Sequence, residues 1–95
     1  PSEGRLEVYY RGQWGTVCSD VFTKLEGYVA CRQLGYTDVL KVSTGPSYAT
    51  NQSIWLSQIS CSKPYTSLFS CSYSFDANQC TPLQNTWLVC GKSHS

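Results

Sequence analysis

Residues 5–20 read RLEVYYRGQWGTVCSD. Strict alternation puts Leu6, Val8 and Tyr10 on one face of an extended segment and Arg5, Glu7, Tyr9 and Arg11 on the other, which predicts a half-buried strand with the first set in the core. Arg11-Gly12-Gln13 makes a tight connection into QWGTVC, a second β-rich run, so residues 5–18 are expected as a hairpin. The stretch ends on Cys18 and a single acid, Asp20. Whether a lone carboxylate there can do chemistry is the functional question the sequence raises.

Helical signals follow at once. In TKLEGYVACRQLG, Thr23 and Glu26 form the S/T-x-x-E capping box, and Gly35 stands where a left-handed C-terminal residue is wanted. Leu25, Tyr28, Val29 and Cys31 gather on adjoining faces, with the stem of Arg32 at the edge, so this helix is expected to pack against the sheet. Gly27 inside it would cost up to about 1 kcal/mol relative to alanine.

Residues 41–53, KVSTGPSYATNQS, show no periodicity and read as a long surface loop. Within it Asn51-Gln52-Ser53 is a glycosylation sequon. SIWLSQISC returns to strand character, with Ile54, Leu56 and Ile59 expected inward. Between Cys61 and Cys71, Leu68 and Phe69 suggest one short helical turn. NTWLVC reads as a closing strand with Trp87 and Val89 on one side and Leu88 and Cys90 on the other.

The chain has 95 residues and six cysteines. A chain of that length buries only about 60 to 65% of its unfolded surface, so added cross-links are expected. No CxxC pair occurs and there is a single histidine, which favours a disulfide framework over a zinc or thioredoxin-like site and places the chain in an oxidising compartment. Six cysteines allow fifteen pairings, among which sequence alone does not choose. A formal charge of +1 is too balanced to signal nucleic acid or an anionic membrane. No apolar run approaches the roughly 20 residues of a membrane span, so no membrane insertion is expected. No leader precedes PSEGRL, and the chain reads as a mature or excised domain, with a core over 4–90 and a polar tail over 91–95.

The segments GRLEVYYRGQWGTVCSD, ACRQLGY, IWLSQISC, SLFSC and WLVC, in this order from Gly4 to Cys90, resemble the scavenger receptor cysteine-rich domain. The resemblance to the six-cysteine branch of this family implies the pairs Cys18 with Cys80, Cys31 with Cys90, and Cys61 with Cys71. It also implies an α+β fold, a small disulfide-rich domain with a curved antiparallel sheet cradling one main helix, and long loops. Calcium-binding relatives are expected to carry two adjacent acids after the first cysteine and a glutamate four residues after the one matching Cys61. Here those positions hold Ser19, Asp20 and Tyr65, and the acids of a second cation site are replaced by Ser57 and Gln58. Calcium wants six to eight oxygens, several of them charged, so Asp20 is expected as a turn-capping acid, with no metal and no cofactor.

Catalysis is not expected: the sole histidine, His94, lies in the polar tail, and no pair of acids is placed for acid and base roles. The expected function is an extracellular module, secreted or part of a receptor ectodomain, that recognises a protein or glycan. Tyr48, Tyr65, Tyr73 and Phe75 on loops supply the contact surface, because exposed aromatics are rigid and enriched at interfaces. Two alternatives stand beside it. One is scavenger-type binding of polyanions or microbial surfaces through Arg5 and Arg11, where Glu7 halves the local field. The other is a structural or accessory role in a larger receptor, matrix protein or protease.

Overall fold

The structure, a computed structural model, describes residues 2–45, 54–76, 80–81 and 84–91. Among the described residues seven strands and one helix are arranged as β1 (Ser2–Arg5), β2 (Glu7–Tyr10), β3 (Gln13–Val17), α1 (Lys24–Gln33), β4 (Asp38–Thr44), β5 (Ile54–Ser60), β6 (Ser72–Ser74) and β7 (Thr86–Gly91), with a 3₁₀ turn at Leu68–Ser70. The α+β class is as expected, with the strands divided between two sheets. An antiparallel sheet runs in the order β1-β7-β4, and a mixed sheet in the order β2-β3-β5-β6 with β3 and β5 parallel.

The hairpin forms as read, with Tyr9 opposite Trp14 and Tyr10 opposite Gln13. Its strand is shorter than the alternation suggested, because the chain changes sheets at Leu6. Arg5 pairs with Trp87 in the first sheet, Glu7 pairs with Thr16 in the second, and the Leu6 N–H donates to the Thr86 carbonyl at 2.9 Å. Alternation cannot reveal this change, since both halves keep the same period.

Helix α1 begins at the capping box of Thr23 and Glu26, and Gly35 just beyond it has φ +98°. It lies on β4 and β7. A Cβ at Gly27 would come within 2.5 Å of Val42 Cγ2 and 3.1 Å of Val39 Cγ2, so the missing side chain is what allows the helix to approach. Cys31 and Cys90 then bond the helix to β7, Cys18 and Cys80 tie the end of the hairpin to the C-terminal third, and Cys61 and Cys71 close a local loop. These are the three pairs the resemblance implied.

Two segments differ from the reading. Residues 41–44, where the lack of periodicity predicts the start of a loop, complete β4 and pair with β7 from Lys41 opposite Val89 to Thr44 opposite Thr86. A register shift between Val39 and Lys41 leaves Leu40 exposed and breaks the period-two signal that would have announced the strand. Gly91, expected to open the polar tail, is the last residue of β7. The closing strand otherwise follows the reading, with Leu88 and Cys90 buried and Trp87 and Val89 half-buried. Strand β5 buries Leu56 and Ile59 as expected, and these positions, of opposite parity in a regular strand, are both inside because of the bulge at Gln58 (φ 52°).

Candidate functional site

On the mixed sheet a run of aromatic rings connects elements far apart in sequence. The Tyr10 ring stacks on Phe75 with centroids 4.7 Å apart and planes at 24°. Trp55 meets the same tyrosine edge-on at 5.6 Å, Tyr73 meets Phe75 edge-on at 5.5 Å, and Phe69 meets Tyr73 edge-on at 5.5 Å. Stacked and edge-on pairs are the favoured geometries, so each ring fixes its neighbour. Trp55 is set by the backbone beneath it: its Nε1–H donates to the Gln13 carbonyl at 3.1 Å, and its ring covers Gly15. Phe69, Tyr73 and Phe75 remain 40%, 37% and 46% exposed, so the run is a surface and not a core. The Arg11 guanidinium lies 5.4 Å from the Tyr10 ring centroid at one end.

The segment carrying Phe69 and Tyr73 is held from the helix. Glu26 Oε2 accepts the Cys61 N–H at 2.8 Å, while Oε1 accepts the Thr23 N–H at 2.8 Å and the Thr23 hydroxyl. Seven residues further along, Gln33 Oε1 accepts the Leu68 N–H at 2.9 Å. Burial pushes the Glu26 carboxyl up, but the hydrogen bonds from Cys61 and Thr23 outweigh it and hold the group below its ordinary range. Two side chains of one helix thus fix both the start of the segment and the turn that presents Phe69.

Asp20 sits near the Cys18–Cys80 disulfide, and these three residues are close enough to suggest a metal cluster. The two sulfurs are bonded to each other and offer no thiolate. Asp20 Oδ1 accepts the Val21 N–H at 3.0 Å and the Gln58 N–H at 3.3 Å, and Ser19 Oγ lies 3.2 Å from Thr44 Oγ1. The acid is engaged with the turn and with the bulge of β5.

The disulfide pairing, the helix on its three-stranded sheet and the hairpin sheet point to one family, and the family model for the scavenger receptor cysteine-rich (SRCR) domain matches residues 1–91. The chain belongs to this family. It is similar to the SRCR domain of mouse MARCO, solved in its dimeric form, with 32% identity, a TM-score of 0.82, and coverage of 95% of this chain and 87% of that one. It is likewise similar to the third SRCR domain of murine neurotrypsin, with 29% identity, a TM-score of 0.81, and coverage of 97% and 88%. SRCR domains are typically extracellular receptor modules. Among the described residues no helix is long and apolar enough to cross a membrane.

Within this SRCR domain the residues singled out from sequence do not all meet. Tyr73 and Phe75 stand in the aromatic run, although Tyr73 lies on strand β6 and not on a loop. Tyr65 is half-buried against the core, with Lys63 Nζ 5.5 Å from its ring centroid and its hydroxyl 3.4 Å from Ser62 Oγ. Arg11 is exposed at the hairpin turn, whereas Arg5 lies in the other sheet and donates from Nε to Asn85 Oδ1 at 3.2 Å. The two arginines read as one outward pair are therefore divided between sheets. Tyr48, Asn51 and His94 lie outside the described residues.

Sequence reading did not single out Tyr10, Trp55 and Phe69 for this surface, nor Tyr9 and Trp14 on the other face of the hairpin. For Trp14 a signal existed. A two-residue turn sets Trp14 opposite Tyr9, on the face that the alternation assigns to solvent.

Proposed function

We propose that this SRCR domain is an extracellular recognition module without catalytic activity, which binds a protein or glycan partner through the aromatic run. The observation that carries this reading is the half-exposed sequence Phe69, Tyr73, Phe75, held ring against ring and anchored to Tyr10. Rings fixed before binding lose little entropy on association, which is what makes tyrosine and tryptophan effective at interfaces. Arg11 at one end of the run adds a single cation. Binding proceeds without a strong calcium site, because Ser19 and Tyr65 stand where acids are expected and leave Asp20, whose Oδ1 accepts two backbone N–H groups, as a single carboxylate. The separation of Arg5 from Arg11 disfavours polyanion binding, which needs cations acting together.

Two probes test the reading together: a panel of immobilised ectodomains and glycans, and dextran sulfate over a range of salt, with calcium or chelator. The expected result is capture of a panel member that chelator does not affect and that Tyr73→Ala and Phe75→Ala both weaken by at least about tenfold, as truncation of an interface anchor does. Steep, salt-sensitive binding to dextran sulfate that Arg11→Ala removes would overturn it in favour of the polyanion reading.

A further inference from the structure

A second feature lies along the edge of β2 and shares Phe69 with the aromatic run. Tyr9 and Trp14, a directly opposed cross-strand pair, lie with ring centroids 5.1 Å apart and planes inclined at 60°, and they are 59% and 56% exposed. Together with Phe69 and Leu34 they wall an open groove of about 310 Å³ whose floor is Leu6, Val8, Ala30 and Leu68. Besides Tyr9 and Trp14, whose hydroxyl and indole N–H are polar, Glu7 and Gln33 line it. The Gln33 carbonyl oxygen is already accepting the Leu68 N–H. The Glu7 side chain has no hydrogen-bond or ion-pair partner among the described residues, and among them no lysine or arginine lines the groove, although the protein carries a net positive charge.

We propose that this groove binds a quaternary ammonium group of the choline class. Three aromatic rings line the groove above an apolar floor, where a cation reaching a ring face is attracted by its π-system, and the unpaired Glu7 carboxylate supplies the opposite charge. The substitution on nitrogen follows from the scarcity of acceptors. A primary ammonium keeps its N–H groups hydrated in an open groove and stands off the apolar floor, whereas a trimethylammonium group has no N–H to satisfy and presents methyl surface to Leu6, Val8 and Leu68. A neutral apolar group of the same shape would fill the groove but gain nothing from Glu7 or the rings' quadrupole.

The test is a titration of the whole domain followed by the Trp14 indole N–H signal in two-dimensional NMR. The probes are choline, its neutral tert-butyl isostere dimethylbutanol, and ethanolamine as a primary ammonium. Choline is expected to shift Trp14 saturably, and more strongly than either comparator. Glu7→Gln and Tyr9→Leu should each weaken choline roughly two- to fivefold, the size of a solvent-exposed cation–π or ionic contribution, with unchanged thermal melting. Trp14→Ala should remove the choline-induced shifts of the Tyr9 and Leu34 amides. Equal response to dimethylbutanol would make the groove a neutral apolar pocket and overturn the proposal, as would equal response to ethanolamine or no shift with choline. None of these results bears on Tyr73 and Phe75, so the groove and the aromatic run fail or stand separately.

Discussion

Glu26 Oε2 accepts the backbone N–H of Cys61 at 2.8 Å, across 35 positions of sequence. The same carboxylate closes the capping box of α1, so one side chain both starts the helix and fixes the segment that carries Phe69. Glu26→Gln keeps the shape but removes the charge and one acceptor. A loss of about 2 to 3 kcal/mol is expected, since buried hydrogen bonds to a charged group are worth more than neutral ones. Equilibrium denaturation at neutral pH checks it.

The same group sets an acid limit. Its carboxyl is held below the ordinary value of 4.5 in the folded protein, so its contribution to stability is complete above that value and is lost as the pH falls through the lower folded one. Stability measured at stepwise lower pH should therefore fall below about pH 4.5 in the wild type. In Glu26→Gln this part of the acid decline should be absent, and an identical slope in both proteins would contradict the assignment.

Gly27→Ala would improve an isolated helix by up to about 1 kcal/mol. Here the added methyl would press on Val42 and Val39, stiff β-branched neighbours beneath the helix. Net destabilisation of about 1 to 3 kcal/mol is expected from overpacking. A rise in melting temperature would show that the helix can lift from β4 without loss.

Gly15→Ala acts on the proposed binding surface from below. A Cβ there would lie 2.1 Å from Trp55 Cδ1, so the indole must move and give up its bond to the Gln13 carbonyl. The expected outcome is loss of the Tyr10 to Trp55 contact, seen as a shifted Trp55 indole signal, with weaker partner binding.

Replacing Cys61 and Cys71 together by alanine should cost about 3 kcal/mol, against about 4 for either longer bridge, because the entropy removed from the unfolded chain grows with the logarithm of loop size. The separations are 10 residues for this pair and 62 and 59 for the others. Glu26 and Gln33 still grip the segment after the bridge is gone, so the double variant should fold. Chemical denaturation gives the magnitude.

Thr16 is fully buried, and its hydroxyl has no hydrogen-bond partner among the described residues. Thr16→Val removes an unsatisfied polar atom at nearly constant shape. A gain of about 1 kcal/mol is expected in the same denaturation experiment.

The local chain already specified much of this architecture. The hairpin, the capped helix with its glycine stop, the Leu68 turn and the faces of β7 all arise from signals within about ten residues, where periodicity and capping chemistry act. The family likeness carried the cysteine pairing. What the tertiary structure alone decided are relations between distant registers. The chain changes sheets at Leu6, Leu40 bulges out of β4, and Gln58 bulges in β5, each erasing or mimicking a period-two pattern. Tyr10, Trp55, Phe69, Tyr73 and Phe75 become one surface only when β2, β5 and β6 take their places in the mixed sheet. Ring contact requires a centroid within a few ångströms, and no local pattern encodes the distance between strands that are joined only by long-range pairing.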